Sequence, residues 1–392
     1  MQGYWNSKSC VSQNTGFGVI GGGNIVEKKK NKRKMIKIAV VILNWNGRTM
    51  LERFLPSVLR YSLLDSPTES GWHVPNAAPM ELSSAVIVAD NGSTDDSLAF
   101  LEEHYPQIPL IRLEKNYGFA EGYNRALATL DSYDYYVLLN SDVEPTPHWI
   151  QPVIAMMERD WRVAIAQPKL LMYNQRDTFE YAGGAGGYID SFGYPFCRGR
   201  MFNTMEKDHG QYDDEADIFW ASGAALFVKS KVWEKVGGLD SDFFAHMEEI
   251  DFCWRAKNHG YLVRYCPRST IYHVGGGTLP KSTPFKTHLN FRNNLSMLYK
   301  NLPSSRLRRV IYLRIVLDWL AALKFLVEGH WGEFCAVRKA HREFRALRPQ
   351  LVEKRRRLHH HTVSSFYQGH ILVEYYLLGR KTFTALRGKF IR

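Results

Sequence analysis

The segment VLLNSDVEP, residues 137–145, places a carboxylate directly after a run of apolar residues. Residues 135–139 are all apolar, a pattern typical of a strand that is covered on both faces in a parallel sheet. Because such sheets bind ligands at the carboxyl ends of their strands, Asp142 is a candidate site residue, and Pro145 is expected to stop the strand from continuing. The alternative is a polar turn in which Asp142 bonds to its own backbone.

A second group of acids occurs in the segment MEEIDFCWR, where Glu248, Glu249 and Asp251 lie within four positions. The segment predicts the start of a helix, where the helix dipole also favours acids, and this structural benefit can account for one or two of the three. Crowded like charges raise the pKa of one carboxyl group toward neutrality, which suits a general base. The group is therefore a candidate catalytic centre.

The positions of these acids depend on a series of alternating strands and helices. Hydrophobic periodicity predicts strands over 36–43, 85–89, 110–113 and up to 140, with helices over about 50–60, from Ser93 or Thr94, and over 121–130. This order predicts an α/β fold with a mostly parallel sheet and helices on both faces. Asn44 and Asp90 then join Asp142 at one edge of the sheet, although an N-cap is an equally good explanation of Asp90 alone.

The composition limits the class of protein. The chain has 392 residues, of which 45% are hydrophobic, enough for one large core or two ordinary ones. Its five cysteines are widely spaced and include no C-x-x-C pair, which argues against a disulfide framework or a zinc site and fits a reducing cytosol. No segment reaches the roughly 18 apolar residues of a membrane span, and the N-terminus lacks the pattern of a secretory signal.

Charge divides the chain into three regions. Residues 1–34 carry a net charge of +6, residues 35–305 of −7 and residues 306–392 of +13. We expect the first region to be a disordered basic leader, or sequence upstream of a start at Met35. Its G-x-G-x-x-G motif at 16–21 follows no strand pattern, so we reject dinucleotide binding. An acidic body with a basic tail is also unlike a nucleic-acid-binding domain, and we expect no nucleic-acid partner.

The region 303–392 is predicted to be a helical, basic extension. Its segment RLRRVIYLRIVLDWLAALKFL is apolar around most of the helix, but it is interrupted by Arg308, Arg309, Arg314, Asp318 and Lys324. It therefore suits the membrane interface better than a span, and packing on the catalytic domain is the alternative. With the polybasic segment VEKRRRLHHH, it predicts contact with an anionic membrane surface and a cytoplasmic, peripheral location at the inner face of the cell membrane.

Seven segments, in order, resemble the inverting family-two glycosyltransferases with a GT-A fold, in particular the bacterial rhamnosyltransferase-like branch. They are VVILNWNG, VADNGSTDDS, NYGFAEGYN, LLNSDVEP, ASGAALFV, GLDSDFFAHMEEIDFCWR and HVGGGT. The resemblance implies a Rossmann-like GT-A domain over 35–302 that transfers a sugar from a nucleotide-sugar donor. The implied acceptor is a hydroxyl of a glycan or a lipid-linked saccharide in cell-surface polysaccharide synthesis, with Mg²⁺ or Mn²⁺ on the diphosphate.

The resemblance also implies donor-binding residues. Asp90 matches the acid that contacts the nucleotide base, and Asn44, Asn116 and Gly118 match residues that shape the same pocket. Arg292, in FRNN, is expected to hold a phosphate, and a salt bridge is an equally good alternative.

For the metal site, the resemblance implies Asp142 and His273. Asp142 matches the last acid of the D-x-D metal motif, whose first acid is replaced here by Asn140. Asn140 itself is expected to contact the nucleotide-sugar. The cation then depends on phosphate oxygens, which is acceptable because Mg²⁺ commonly takes only one or two carboxylates. His273 alone is equally consistent with a turn residue.

Glu249 matches the general base that deprotonates the acceptor hydroxyl, with Glu248 as its rival and Asp251 expected to orient the loop or Arg255. The alternative function is an inactive scaffold of the same fold that binds a nucleotide-sugar or a glycan. Asn140 in place of an acid, and Glu249 where the family often has Asp, are the features that favour it.

The acceptor is expected to enter between the metal motif and the base. The aromatic-rich segment 181–202 and the segment 219–223 lie there in the sequence. Four glycines at 183, 184, 186 and 187 indicate a mobile loop or a lid.

Overall fold

Alternating strands and helices make up the chain from Met35 onwards. The computed structural model describes residues 35–64, 80–275, 283–361 and 363–391, so the predicted leader, residues 65–79 and the glycines at 276 and 277 lie outside the described residues. The strands are β1 (Met35–Asn44), β2 (Glu81–Asp90), β3 (Leu110–Arg112), β4 (Tyr135–Asn140), β5 (Val143–Pro145), β6 (Val163–Met172), β7 (Gly187–Ile189), β8 (Pro195–Cys197), β9 (Arg200–Met201), β10 (Thr204–Met205), β11 (Ala216–Ile218), β12 (Ala225–Lys229) and β13 (Leu262–His273). The helices are α1 (Arg48–Ser62), α2 (Ser97–His104), α3 (Gly118–Leu127), α4 (Ile150–Arg159), α5 (Ser230–Val236), α6 (Glu248–Asn258), α7 (Pro284–Asn301), α8 (Ser304–Val327) and α9 (Trp331–Arg356).

The first half of the central sheet follows the predicted βαβ order. β3, β2, β1 and β4 lie side by side in parallel, and residues 38–42 and 135–139 are buried, as expected for strands that are covered on both faces. The second half is mixed, because β12 runs antiparallel between β4 and β6 while β6 and β13 are parallel. The α/β fold class is confirmed, with fewer parallel pairs than predicted.

Helix α2 begins at Ser97, later than the predicted start at Ser93 or Thr94. The backbone N of Ser93 donates to Asp90 Oδ1 at 2.9 Å, and the backbone N of Thr94 donates to Asn46 Oδ1 at 2.7 Å. These side-chain acceptors hold the segment in a turn and compete with helix formation. They also tie the loop after β2 to the loop after β1.

The pairing of β5 with β13 joins two distant parts of the chain. β5 follows β4 after a turn of two residues, and Val143 lies opposite His273 in antiparallel register. The backbone N of Val274 donates to the carbonyl of Asp142 at 3.1 Å. Pro145 ends β5, but the chain re-enters the sheet directly after Asp142, contrary to the expectation from the sequence.

The glycine-rich segment that was predicted to be a mobile loop or a lid is buried, with residues 183–186 in a turn and Gly187 at the start of β7. β7, β8, β9 and β10 form a second, antiparallel sheet. A Cβ atom at Gly187 would lie 2.1 Å from Trp220 Cε2, and one at Gly186, where φ is +107°, would lie 2.4 Å from Ile218 Cγ2. The glycines permit close packing of the backbone, so the lid interpretation is wrong for this segment.

The basic C-terminal region packs against the rest of the chain. α9 lies along α7, and Arg355 donates from a terminal guanidinium nitrogen to the carbonyl of Tyr299 at 2.9 Å. Phe366, Tyr367 and Ile371 are buried in the same apolar cluster as the core of the sheet. Among the described helices, none combines the length and apolarity needed to cross a membrane. The boundary at 302/303 stays a prediction.

Candidate active site

The ends of β1 and β2 form a buried polar pair. Asn44 and Asp90 are opposite each other in the parallel register, are 0% and 1% exposed, and are joined by a bond from Asn44 Nδ2 to Asp90 Oδ2 of 3.1 Å. A Cβ at Gly47 would lie 2.3 Å from Asn44 Oδ1, so only glycine leaves that oxygen its space. In the part of the chain that the structure describes, Asn44 Oδ1 has no hydrogen-bond partner. A buried acceptor of this kind is available to a ligand.

Asn91 connects this pair to the start of α3. Its side-chain nitrogen donates to Asn116 Oδ1 at 3.1 Å and to the carbonyl of Gly118 at 3.0 Å, while its oxygen accepts from the backbone N of Tyr117 at 3.1 Å. Gly118 has φ of +76°, and a Cβ there would lie 2.5 Å from the Phe244 ring. The structure thus brings Asn44, Asn116 and Gly118 to one edge of the sheet. The sequence analysis missed Asn91, although it stands in the same segment as Asp90.

Asp142 and His273 lie side by side at this edge. Their side chains are 6% and 8% exposed, and His273 Nε2 is 3.1 Å from Asp142 Oδ1. Asn140 Nδ2 lies 3.4 Å from the same ring nitrogen. The antiparallel register of β5 and β13 fixes this arrangement. The two residues that the resemblance assigned to a metal site are therefore neighbours, and Asn140 lies beside them.

Glu180 is a third acid beside His273, and the sequence analysis did not find it. Its Oε1 lies 3.4 Å from His273 Nδ1, its Oε2 accepts from the backbone N of Ala182 at 2.5 Å, and its side chain is 4% exposed. Burial lowers the pKa of His273, but the negative charges of Asp142 and Glu180 outweigh it and raise this pKa to about 10. No spacing in the sequence links Glu180 to His273, since only the folded chain joins them.

This donor set fits a hard divalent cation. Two buried carboxylates around one imidazole concentrate negative charge, and oxygen with imidazole donors suits Mn²⁺ or Mg²⁺. Within the described ranges, no three His, Cys, Asp or Glu side chains are grouped so that they could hold a metal alone. Phosphate oxygens and water would have to complete the coordination.

The backbone that leads into α6 is strained. Phe244, His246 and Met247 have φ of 63°, 68° and 73°, values that are costly for residues with a Cβ. The carbonyl of Phe244 accepts from the backbone N of Phe119 at 2.7 Å, which ties this loop to the start of α3. Helix α6 begins immediately afterwards, at Glu248.

Asn293 of α7 holds this strained loop, and it is another residue that the sequence analysis missed. It is 0% exposed, and its Nδ2 lies within 2.9 Å of the carbonyl oxygens of Phe243, Ala245 and His246. The amide group satisfies carbonyls that the irregular backbone cannot pair by itself. Asn293 therefore positions the first turn of α6.

Glu248 and Glu249 occupy that first turn in poorly solvated surroundings. Burial, together with the charge of Glu249, raises the pKa of Glu248 well above its usual value, and burial raises the pKa of Glu249 to about 7. Oε2 of each residue has no hydrogen-bond partner among the described residues. A carboxyl group with a pKa near neutrality can accept a proton at working pH, so Glu249 has the properties of a general base.

Asp251, the third candidate acid, lies in a different environment from the two glutamates. It is 0% exposed, pairs with Arg255 Nε at 2.8 Å and Lys300 Nζ at 3.0 Å, and accepts from Asn301 Nδ2 at 2.7 Å. Both of its oxygens are engaged in a buried ion-pair network. Asp251 holds α6 against α7, and the expectation that it orients Arg255 is confirmed.

Family models place the chain among known proteins. The model described as "Glycosyl transferase family 2" matches residues 39–181, and the model described as "Glycosyl transferase family group 2" matches residues 136–290. The chain belongs to glycosyltransferase family 2. The matched residues include Asp142, His273 and the first turn of α6.

Two curated relatives of this glycosyltransferase are rhamnosyltransferases by name. The chain is 26% identical over 251 residues to N-acetylglucosaminyl-diphospho-decaprenol L-rhamnosyltransferase of Mycobacterium tuberculosis, an alignment that covers 60% of this chain and 75% of the relative. It is 24% identical over 237 residues to dTDP-rhamnosyl transferase RfbF of Shigella flexneri, over 56% and 73% of the two chains. These similarities agree with the rhamnosyltransferase-like branch.

A solved structure supports the fold of this glycosyltransferase. The crystal structure of GalNAc-T7 with UDP, GalNAc and Mn²⁺ is similar with a TM-score of 0.50 and 14% identity. The similarity covers 69% of this chain and 48% of that one, so the chain spans about half of GalNAc-T7. At this identity the match indicates the GT-A fold alone.

Two expectations for the rest of the glycosyltransferase need correction. Arg292 bonds to the carbonyls of Asp242 and Phe243 at 3.0 and 3.2 Å and approaches Glu343 at 3.4 Å, so the salt-bridge alternative describes it better than a phosphate ligand. Phe219, in the segment expected to admit the acceptor, is 0% exposed and packs edge-on against Trp254. The aromatic residues of the segment 219–223 therefore belong largely to the core.

Proposed function

We propose that this glycosyltransferase moves a sugar, with inversion at the anomeric carbon, from a nucleotide-sugar to an acceptor hydroxyl. The observation that carries the proposal is that the Asn44–Asp90 and Asp142–His273 pairs share one edge of the sheet, while the loop before Glu249 is tied to the start of α3. Ligands of open α/β sheets bind at this edge.

For the donor, Asn44, Asp90, Asn116 and Gly118 are the proposed contacts. Asn44 offers an unpaired amide oxygen and Asp90 a buried carboxylate, which suit the N–H groups of a nucleotide base. Gly118 allows the backbone to approach a ligand closely. We propose dTDP-rhamnose as the first donor to test, because one relative is named a dTDP-rhamnosyl transferase.

For the diphosphate, Asp142 and His273 are the proposed metal ligands and Glu180 the residue that orients His273. A carboxylate on the second ring nitrogen of a ligating histidine fixes the ring and increases its basicity. When bound, Mg²⁺ or Mn²⁺ would neutralise the negative charge that develops on the leaving diphosphate. The uncharged side chain of Asn140 lies beside His273.

For the acceptor, Glu249 is the proposed general base. Its carboxylate takes the proton of the hydroxyl, the hydroxyl oxygen forms a bond to the anomeric carbon, and the bond from that carbon to the diphosphate oxygen breaks. Burial and the charge of Glu249 raise the pKa of Glu248, which favours its neutral form beside the base. The acceptor is proposed to be a saccharide, free or lipid-linked, in cell-surface polysaccharide synthesis, with the enzyme at the inner face of the cell membrane.

Incubation with a panel of nucleotide-sugars and Mn²⁺ or Mg²⁺ tests the function. An active enzyme releases nucleoside diphosphate from at least one donor, and the release increases when a matching acceptor is added. The Glu249→Gln variant serves as the matched control. If the parent protein binds a nucleotide-sugar but releases no diphosphate with any acceptor, the scaffold alternative, which Asn140 favours, replaces this proposal.

A further inference from the structure

Helix α8 buries an ion pair on one face and exposes apolar residues on the other. Val310, Arg314, Asp318 and Ala322, four residues apart in turn, form the buried face, where Arg314 approaches Asp318 at 3.3 Å and stacks 3.7 Å from the Tyr194 ring. His341 Nε2 lies 3.2 Å from Asp318 Oδ2. A helix on the surface of a water-soluble domain normally has the opposite arrangement.

The opposite face of α8 is an apolar stripe. Its exposed residues follow helical spacing and are Tyr312 (68%), Val316 (41%), Trp319 (39%), Leu320 (58%), Leu323 (54%) and Val327 (80%). We call this set the α8 stripe. It extends over about 22 Å of helix at 1.5 Å per residue. A continuous exposed apolar surface of this size marks an interaction site.

A second exposed apolar group lies in the C-terminal segment, within electrostatic range of Lys324 on α8. Its residues Tyr376, Leu377 and Leu378 are 63%, 77% and 53% exposed. Aromatic residues that join a polar atom to a ring, such as Tyr312, Trp319 and Tyr376, are typical of membrane interfaces.

Basic residues border this apolar surface. Arg308 and Arg309 precede the stripe on α8, Lys324 lies within it, and Arg380 and Lys381 follow the second group. The whole region 306–392 has 19 basic and 6 acidic residues. Such a surface is complementary to anionic lipid, whereas two copies placed stripe to stripe would bring their positive charges together.

The end of the stripe is linked to the start of α7 by a close contact. Val327 closes α8, and after the turn a Cβ at Gly332 would lie 2.8 Å from Pro284, the first residue of α7. Two residues further, Lys286 interacts electrostatically with Glu180 beside the Asp142–His273 pair. Trp331 and Phe285, which are 61% and 47% exposed, lie along this path.

We propose that the α8 stripe docks on an anionic lipid bilayer and that the active site thereby receives an acceptor carried by a membrane lipid. The stripe inserts into the interface, the basic border contacts headgroups, and the end of the stripe places α7 and the catalytic edge near the bilayer. The docking proposal is independent of the proposed function, whereas the proposal of a lipid-linked acceptor rests on the proposed sugar transfer.

Vesicle co-sedimentation tests the docking. The full chain is mixed with vesicles of phosphatidylcholine alone, or of equal parts phosphatidylcholine and phosphatidylglycerol, at low and at physiological salt. We expect binding to the anionic vesicles that weakens as salt rises, because screening shortens to a Debye length of about 8 Å at 0.15 M. The double variant Leu320→Ser/Leu323→Ser should bind at least ~10-fold more weakly, because it removes two inserted side chains.

Control variants show whether vesicle binding depends on the stripe and its basic border. Trp161→Ser changes a 73% exposed apolar residue outside the stripe and should leave vesicle binding unchanged. Arg308→Gln/Arg309→Gln should weaken binding and flatten its salt dependence, whereas Lys231→Gln on α5 should not. Each variant should keep the parent's diphosphate release with a water-soluble acceptor, which separates loss of docking from loss of catalysis.

Three outcomes overturn the inference. The first is a parent protein that ignores anionic vesicles at low salt. The second is a stripe variant that binds them like the parent. The third is a parent protein that sediments as a dimer while the stripe variant sediments as a monomer, and neither binds vesicles. In that case the stripe pairs with a second copy of the chain. Vesicle binding without any diphosphate release would leave docking intact and refute the proposed function.

Discussion

His273 and Asp142 are 131 residues apart in the chain, yet His273 Nε2 lies 3.1 Å from Asp142 Oδ1. The pair is created by the backbone, since Val143 is opposite His273 where β5 pairs with β13. The ring and the carboxylate are therefore held by a sheet and do not depend on a flexible loop. Rigid placement of this kind favours selective binding of a small cation.

Asp142→Ala should abolish metal-dependent transfer and leave the fold intact. The carbonyl of Asp142, which accepts from Val274, is kept in the variant, so the sheet pairing survives. Mn²⁺ binding in the presence of nucleoside diphosphate should be lost, as measured by electron paramagnetic resonance. Asp131→Ala, at an exposed position, is the control. A collapse of the melting temperature in Asp142→Ala would indicate the structural turn.

Glu180→Gln should weaken Mn²⁺ binding without abolishing it. The variant keeps an oxygen near His273 Nδ1 but removes the charge, and loss of such outer partners typically costs about 10–100-fold in metal affinity. Titration calorimetry with Mn²⁺ measures the change. Glu144→Gln, which alters the ion pair of Glu144 with Arg176 two residues beyond Asp142, should bind Mn²⁺ like the parent. Equal affinities in both variants would remove Glu180 from the site.

Glu249→Gln should lower turnover by at least ~10² while nucleotide binding persists. Because burial raises the pKa of Glu249 to about 7, the parent's turnover should rise with pH through that region as the base loses its proton. Rate profiles from acid to mildly alkaline pH check both statements. If Glu248→Gln causes the greater loss, Glu248 is the base.

The same variant should change the pH dependence of stability. A carboxyl group whose pKa is higher in the folded than in the unfolded protein stabilises the fold while it is protonated, and this contribution is lost as pH rises from about 4.3 toward 7. Glu249→Gln, which stays neutral, should therefore melt higher than the parent above pH 7. The two melting temperatures should converge in acid. Calorimetric scans across this range measure the effect.

Asn293→Ala should impair both stability and turnover. The substitution removes the side-chain donor of the Ala245 and His246 carbonyls and one of the donors of the Phe243 carbonyl, at a cost of about 1–3 kcal/mol in the free energy of unfolding. Asn294→Ala is the matched control, because Asn294 is equally buried but bonds to Gly193 instead. We expect similar destabilisation in the two variants but a larger fall in kcat for Asn293→Ala. Equal kcat values would make Asn293 merely structural.

Asp251→Asn should destabilise the protein far more than a surface change does. Removing one member of a buried network leaves Lys300 and Arg255 with less compensation, at a cost of about 3–5 kcal/mol. Asp242→Asn breaks an ion pair with Lys354 at a partly exposed site and should cost only about 0–1 kcal/mol. Urea unfolding measures both. A stable, inactive Asp251→Asn variant would return Asp251 to the catalytic group.

Some of this architecture could be predicted from the sequence because it depends on local patterns. The apolar runs of β1 and β4 predict buried parallel strands, and the polar residues after them, such as Asp90 and Asp142, then share one edge. Helix α2 was placed too early because Asn46, in another loop, provides the acceptor that holds Thr94 in a turn. A sequence pattern cannot show that acceptor.

Other features could not be predicted because they depend on contacts between distant segments. A glycine at position 187 is equally consistent with a mobile loop and with a backbone that packs closely against a neighbour. Only the position of the Trp220 ring shows that the second explanation applies. Glu180 and Asn293 act on residues of other elements. On α8, apolar residues surround the helix, so hydropathy alone cannot show that the Arg314–Asp318 side is the one that faces the protein.

The pairing of β5 with β13 also sets an order for folding during synthesis. β1, β2, β3 and β4 pair in parallel with one another and are complete once residue 140 has been made. The Asp142–His273 pair cannot form until residue 273 has been made. The loop before α6 lacks the hydrogen bonds from Asn293 until residue 293 has also been made. A ribosome-bound chain would thus complete the edge of the sheet that carries Asn44 and Asp90 well before the Asp142–His273 pair could form.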